Sequence, residues 1–464
     1  MTGQRGIEQS LSGSVLLQAP FSASRANQRV RRFEPADYRR VYPLVRWSFY
    51  ALVFLQGPDI PNRTFPIGLP TIAAFVLLPV MLFQARICFR RPPAAFWWFC
   101  AFFAGYLIWS CFAVHSEWKM IILLVQEVLL LWVAFNLMQY ENIANNSLIA
   151  LAASCVFLAY LQFKGIWATP VWDHRYGTRW SVMGQDPNYF AGFLSLGTVA
   201  LIGFACRHKK TGLWLRIAAG AFAGFILLAI IRTGSRGGTI AVAAGILALM
   251  PGGSGIWSKI KNTVVVLFAV GFLVTTIVKS PVLKGRYQRT ADEGAMSGRE
   301  EINPAAWAMI EEKPVFGWGP IDNKYELGKR AVYITERHPE GDRDPHNVFL
   351  DVLTSVGFLG GAPYLIGVLL SLVAGWKGRK GPLGAMPLAL VFSSVVIGLT
   401  INTLVFKIYY CLSGYALASA QRRLSGVPRM APNRKTPQRR YASRPVMIPL
   451  IRNASSGTPP GAQP

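Results

Sequence analysis

The sequence predicts an all-α polytopic membrane protein with about twelve transmembrane helices and a large outside loop between the ninth and tenth. Three observations carry this expectation. The chain of 464 residues is 52% hydrophobic and only 15% charged, with a mean hydropathy of +0.33, too apolar for an ordinary soluble protein. Apolar runs near the length of about 20 residues that crosses hydrocarbon recur from Val45 almost to the end. The short links between them carry Lys and Arg on alternate sides, as the orientation rule for cytoplasmic loops requires.

In chain order the predicted spans are 43–57, 65–85, 94–114, 119–139, 147–163, 188–206, 212–231, 237–250, 263–279, 347–374, 384–401 and 404–420. The first begins after a polar, arginine-bearing stretch, so it reads as a retained anchor with the N-terminus inside, not as a cleavable signal peptide. On that register the inside links hold Arg86, Arg90 and Arg91, then Arg207, Lys209 and Lys210, then Lys259 and Lys261, then Lys377, Arg379 and Lys380. The link Tyr140 to Asn146 has no basic residue. The expected organisation is a cytoplasmic basic extension over 1–42, a transmembrane domain over 43–421 that includes the outside loop 280–346, and a cytoplasmic basic tail over 422–464. The tail is rich in Pro and Ser and, like the extension, is expected to be disordered.

The formal net charge of +26 follows from this topology and from attraction of the tails to membrane lipids; nucleic acid is not an expected partner. All six cysteines lie in or beside the spans, which suggests neither a disulfide framework nor a CxxC metal site.

Positive charge on the outside runs against the orientation rule and needs its own cause. "RTGSRGG", Arg232 to Gly238, is squeezed between two apolar runs. If the segment is helical, Arg232 and Arg236 share a face, and an arginine drawn toward hydrocarbon costs about 2.5 to 3.5 kcal/mol, which an anion would offset. Ser235 is placed to cap the following helix, and Gly234, Gly237 and Gly238 would let a ligand approach the backbone. A helix N-terminus there suits a phosphate. The plainer alternative is a tight turn whose arginines reach to headgroups.

Upstream, "HRYGTRWSVMGQDPNYFAGFL" brings Arg175 and Arg179 before an Asx cap at Asp186. Tyr176, Trp180 and Tyr189 suit an aromatic belt or stacking on sugar rings. In the large loop, Arg299 precedes Ile302, Ala305, Ala306, Met309 and Ile310, whose spacing predicts a short amphipathic helix on the membrane surface, ended at Pro314 and the turn at Gly317 and Gly319. Finally "DPHNVFLDVLTSVGFLGG" puts His346 where the chain re-enters the membrane, on the same side as Arg175, Arg179, Arg232, Arg236 and Arg299. A histidine of ordinary pKa, about 6.5, can accept a proton at neutral pH, and nearby arginines would keep it neutral.

These residues resemble the O-antigen ligase and O-antigen polymerase superfamily. His346-Asn347, nine residues, Gly357, two residues and Gly360 is similar to its His-Asn signature; "TGSRGG", "DPNYFAGFL" and "SGR...W...PVFGWG" are similar to its other landmarks, in the same order and on the same side. The resemblance spans roughly Arg175 to Gly361 by motif. It implies a C-type membrane glycosyltransferase in a bacterial inner membrane that moves a glycan from a polyprenyl (undecaprenyl) diphosphate to an acceptor hydroxyl on the periplasmic side, with inversion. It implies His346 as general base and Arg236 and Arg299 as catalytic ligands of the diphosphate, with Arg175, Arg179, Arg232, Ser235 and Asn347 as further substrate-binding candidates. The donor carries its own leaving group, so no cofactor is expected, and lipid A core or another glycan would be the acceptor partner. Planar guanidinium groups match the charge that develops on the departing diphosphate.

Ligase and an O-antigen or exopolysaccharide polymerase using the same donor both remain open, with ligase joining glycan to lipid A core as the leading reading. Asp342, Asp344 and His346 leave a divalent-metal alternative. Glu127 and Lys407, charges within the fourth and twelfth spans, leave a lipid-linked sugar transporter or flippase, unless they merely pair with each other.

Overall fold

In the computed structural model of the protein the described residues are 40–58, 68–115, 118–173, 177–206, 212–252, 255–294, 296–331 and 343–424. Most of the extension and tail expected to be disordered lie outside them.

Every one of the twelve apolar runs contains helix, but the helices differ in length. They are α1 (Pro43–Phe54), α2 (Leu69–Val80, continuing through a 3-10 turn into α3, Ala85–Cys88), α4 (Ala94–Ser110), α5 (Trp118–Leu137), α6 (Glu141–Lys164), α7 (Pro187–Cys206), α8 (Leu213–Thr233), α9 (Arg236–Leu247), α10 (Ile256–Lys279), α14 (Val348–Gly378), α15 (Met386–Gly398) and α16 (Lys407–Leu424). The segment between α10 and α14 adds α11 (Pro281–Glu293), α12 (Arg299–Glu312) and α13 (Asp322–Arg330). Among the described residues seven helices are long and apolar enough to cross a membrane, and α4, α9 and α15 are shorter apolar helices. The chain is therefore a mostly helical, multi-pass membrane protein; helix length supports seven crossings directly, fewer than the twelve expected.

The all-α expectation needs one correction. Ala168–Asp173 (β1) and Gly177–Val182 (β2) pair as an antiparallel hairpin, with Ala168 opposite Val182 and Asp173 opposite Gly177. Thr169, Val171 and Trp172 on one strand and Thr178, Trp180 and Val182 on the other are residue types that fit a pleated ribbon.

Helix α7 forms the centre, buried along most of its length against α6, α8, α9 and α15, while α10 lies at the periphery. Small residues set the close approaches: a Cβ at Gly197 would lie 2.5 Å from the Cys155 Sγ, and one at Gly203 3.0 Å from Met386. On the other side α14 packs on α4 and α16, and α16 on α5. There Lys407 and Glu127 do pair, Nζ to Oε1 at 4.0 Å with both side chains buried, and the Lys407 Nζ donates to the Thr71 Oγ1 at 3.3 Å. Pairing removes the main support for a transport pathway through these two charges.

A second, smaller core lies between α12, α13 and the start of α14. Ile302, Ala306, Met309 and Ile310 of α12 bury against Leu327 of α13 and Leu350 and Leu353 at the start of α14. The spacing did predict this helix, but its apolar face packs within the protein and not on a membrane surface.

Candidate functional site

The link between α8 and α9 explains where its two arginines go. Gly234 takes a left-handed conformation (φ 63°) that ends α8, and Ser235 then caps α9, its Oγ accepting from the Gly238 N–H at 3.2 Å. The segment is thus two helices with a break, so Arg232 and Arg236 do not share a face. Arg232 lies over the rings of Phe163 and Trp180, 4.9 and 5.4 Å from their centroids. Arg236, the first residue of α9, turns instead to α11 and the turn before α12. Its Nη1 donates to the Arg286 carbonyl at 3.1 Å and to the Thr290 hydroxyl, and its Nη2 to the Ser297 Oγ at 3.0 Å.

Arg286 donates to that same Ser297 Oγ at 2.9 Å, so two guanidinium groups meet on one hydroxyl. Ser297 itself is held at φ 64°, a costly backbone for a residue with a side chain. Arg299 opens α12 and donates to the carbonyl of Thr400 in the turn between α15 and α16. Burial, then the charges of Arg236 and Arg179, push its guanidinium below the ordinary arginine pKa, against the opposing pull of Asp186 and Glu300. Arg179 of β2 straps three elements together, Nε donating to the Thr233 carbonyl at 2.8 Å and Nη2 to the Asn188 Oδ1 at 3.0 Å. Asp186 caps α7 as expected, accepting from the Asn188 N–H at 2.7 Å.

The starts of α7, α9 and α12 therefore gather around Arg179, Arg236, Arg286 and Arg299. Three positive helix ends and four permanent cations make a site suited to an anion of more than one charge. Arg175 lies outside the described residues. Gly237 and Gly238 serve packing: a Cβ at either would come 2.6 Å from Thr400 or Ala191, so neither offers backbone to a ligand. Ser235 is buried and engaged as a cap.

His346 sits in a second strained turn. Its φ is +48°, and its N–H donates to the Asp344 Oδ1 at 2.7 Å. The helix cap is its neighbour: the Asn347 Oδ1 accepts from the N–H groups of Phe349 and Leu350 at 3.0 and 3.3 Å, which gives Asn347 a structural task. The imidazole is about half exposed (48%), with the Asp344 carboxylate 3.9 Å from its Nδ1. Asp344 is held in turn by the Asn402 Nδ2 at 3.1 Å and lies 3.9 Å from the Lys324 Nζ. The Asn402 amide also donates to the buried Asp351 Oδ2 at 2.9 Å, and Asn323 donates to the Asp351 Oδ1 at 3.0 Å. Asp342, the other half of the suggested D-x-D, is outside the described residues. Among the described residues no hydrogen bond joins His346 to an arginine; the two halves of the site meet through Thr400 and Asn402, two residues apart in one turn.

The "PVFGWG" and "GFLGG" motifs also prove to be one structure. Gly357 (φ 62°, ψ −168°) breaks α14, and the segment 314–319 enters the break. Trp318 and Gly319 donate to the carbonyls of Thr354 and Ser355 at 2.8 Å each, while Phe358 and Leu359 donate to Pro314 and Val315 at 2.7 and 3.1 Å. A Cβ on Gly317 would lie 2.6 Å from the Gly357 nitrogen, so both glycines are required for the crossing. The loop thus supplies the backbone partners that a broken helix otherwise lacks.

These features describe a multi-pass membrane protein in which a cluster of arginines from separated segments lies beside a strained histidine turn. Residues 220–365 match the family model described as O-Antigen ligase (Wzy_C). The match supports the resemblance to the O-antigen ligase and polymerase superfamily and, with it, an enzyme of the glycosyl-transfer type. No curated protein gives a match to this chain.

Proposed function

We propose that this protein is an O-antigen ligase of a bacterial inner membrane, with both termini cytoplasmic, that transfers a glycan from a polyprenyl (undecaprenyl) diphosphate carrier to lipid A core on the periplasmic face. The observation that carries the reading is the convergence of Arg179, Arg236, Arg286 and Arg299 at three helix N-termini, next to the turn that presents His346. The acceptor hydroxyl gives its proton to the His346 imidazole as its oxygen bonds to the anomeric carbon. The bond from that carbon to the diphosphate oxygen breaks on the opposite side, so the configuration inverts. The electron pair stays on the diphosphate, where the guanidinium groups offset the new charge. No cofactor takes part, and the residues named need no metal. Arg232, stacked on aromatic rings, is assigned to anchoring the α8 end.

A polymerase would use the same donor site and differ only in its acceptor. The test joins purified protein, polyprenyl-diphosphate glycan and lipid A core. Glycan attached to core supports the ligase; glycan lengthened on its own carrier makes the protein a polymerase; passage of donor across proteoliposomes with no new glycosidic bond would overturn both.

A further inference from the structure

At the end of the bundle remote from the candidate site, a cavity of about 430 Å³ opens between the α9–α10 link, the first turns of α10 and the end of α14. Met250, Pro251, Thr263 and Trp376 line it together with Lys259, Arg379 and Lys380. We propose that this cavity is a binding site for the headgroup of an anionic phospholipid.

Three independent observations support it. The lining brings three cations together, and neither link that forms it, 248–258 or 377–385, contains an acidic residue to neutralise them. Its depth is marked by tryptophans: Trp214 at the start of α8, Trp257 at the start of α10 and Trp376 at the end of α14 are 81%, 77% and 49% exposed. These helix ends lie together, since the Lys261 Nζ of α10 donates to the carbonyl of Cys206 at the end of α7, which precedes α8. Large exposed indoles at one level mark the membrane–water interface, so the cations stand where lipid phosphates are. Arg379 is also already placed, with its guanidinium carbon 3.7 Å from the Trp376 ring centre and its Nη1 donating to the Trp376 carbonyl at 2.7 Å. A basic recess between helices at headgroup level, with Met250, Pro251 and Trp376 in its lining to meet glycerol and the upper acyl chain, is the chemistry of an anionic lipid site. The C-terminal tail is a poor occupant, because the chain after Leu424 has several arginines and no acidic residue.

The test uses the full-length protein in nanodiscs of phosphatidylcholine with graded phosphatidylglycerol, with bound lipid read by native mass spectrometry. Phosphatidylglycerol is expected to be retained about tenfold or more over phosphatidylcholine, and each neutralisation among Lys259→Gln, Arg379→Gln and Lys380→Gln to weaken retention about fivefold. Thr263→Trp keeps the charges but fills the cavity and should abolish the preference, which decides the matter if a neutralised variant fails to fold. Neutralising Arg86, Arg90 and Arg91, on another link of the same face, should leave it intact. Equal retention of both lipids, an equal loss in the Arg86, Arg90 and Arg91 variant, or displacement of the lipid by millimolar inorganic phosphate would overturn the proposal.

Discussion

The arginine cluster and the His346 turn stand at the same end of the molecule but are fixed in opposite ways. In the cluster the side chains are held: Arg179, Arg236, Arg286 and Arg299 each grip carbonyls or hydroxyls from a different element. In the turn the backbone is held, through Asp344, Asn347 and Asn402, while the imidazole itself stays about half exposed. The difference matches two chemical tasks. A leaving group of fixed shape is best met by donors that need no rearrangement, whereas a base must remain open to whichever hydroxyl arrives.

The comparison breaks most directly at His346. His346→Ala should lower turnover about 10²- to 10⁴-fold, the range for general-base help, with donor binding unchanged. Single-turnover transfer at saturating donor reads this separation, and a variant with near-normal turnover would leave the turn without its task. The next effect belongs to the cluster. Arg236→Gln or Arg299→Gln should cost about 10²- to 10³-fold, as for loss of one donor to a developing oxyanion. Because burial and neighbouring arginines disfavour the charged form of Arg299, a bound anion should relieve that cost. Inorganic pyrophosphate is therefore expected to raise the melting temperature of the native protein and to do so less in Arg299→Gln. Equal shifts in both would place the anion elsewhere.

A smaller effect is expected where the two regions join. Asn402 donates to both Asp344 and Asp351, so Asn402→Ala leaves two carboxylates without a shared donor, one of them buried. A loss of about 1 to 3 kcal/mol in stability should follow, measured by chemical denaturation in detergent. Transfer should fall by a factor smaller than for His346→Ala, and an unchanged stability would mean the bridge does not hold the turn.

How much of this was legible in the sequence follows from the range of each interaction. Helix-forming runs, the Ser235 and Asp186 caps and the amphipathic stretch 302–310 are local or periodic features, and they were readable. Arg286 was not singled out, because "KGRYQRTADE" reads as an ordinary solvated helix face; only pairing with a distant Arg236 gives it meaning. Thr400 and Asn402 were hidden for a related reason. They fall at the junction of two predicted spans, where apolar composition drew attention away from a polar turn. The hairpin was missed because two six-residue strands signal only weakly beside membrane-length helices. The segment that enters the break in α14 could be suspected from its glycines but not assigned, since backbone pairing leaves no side-chain periodicity.

The smallest effect gives the sharpest contrast. Arg232 and Arg236 occupy one short motif and would be interchangeable if charge at the surface were all that mattered. Gly234 separates them, sending Arg232 to two aromatic faces and Arg236 to the cluster. Arg232→Gln should therefore cost about 0.5 to 2 kcal/mol of stability through the lost cation–π contacts, while turnover changes less than about tenfold, below the loss of a catalytic donor. Steady-state transfer beside thermal melting distinguishes the two. If Arg232→Gln and Arg236→Gln reduced turnover equally, the geometric division between them would carry no chemical meaning, and the cluster would have to be enlarged to include the α8 end.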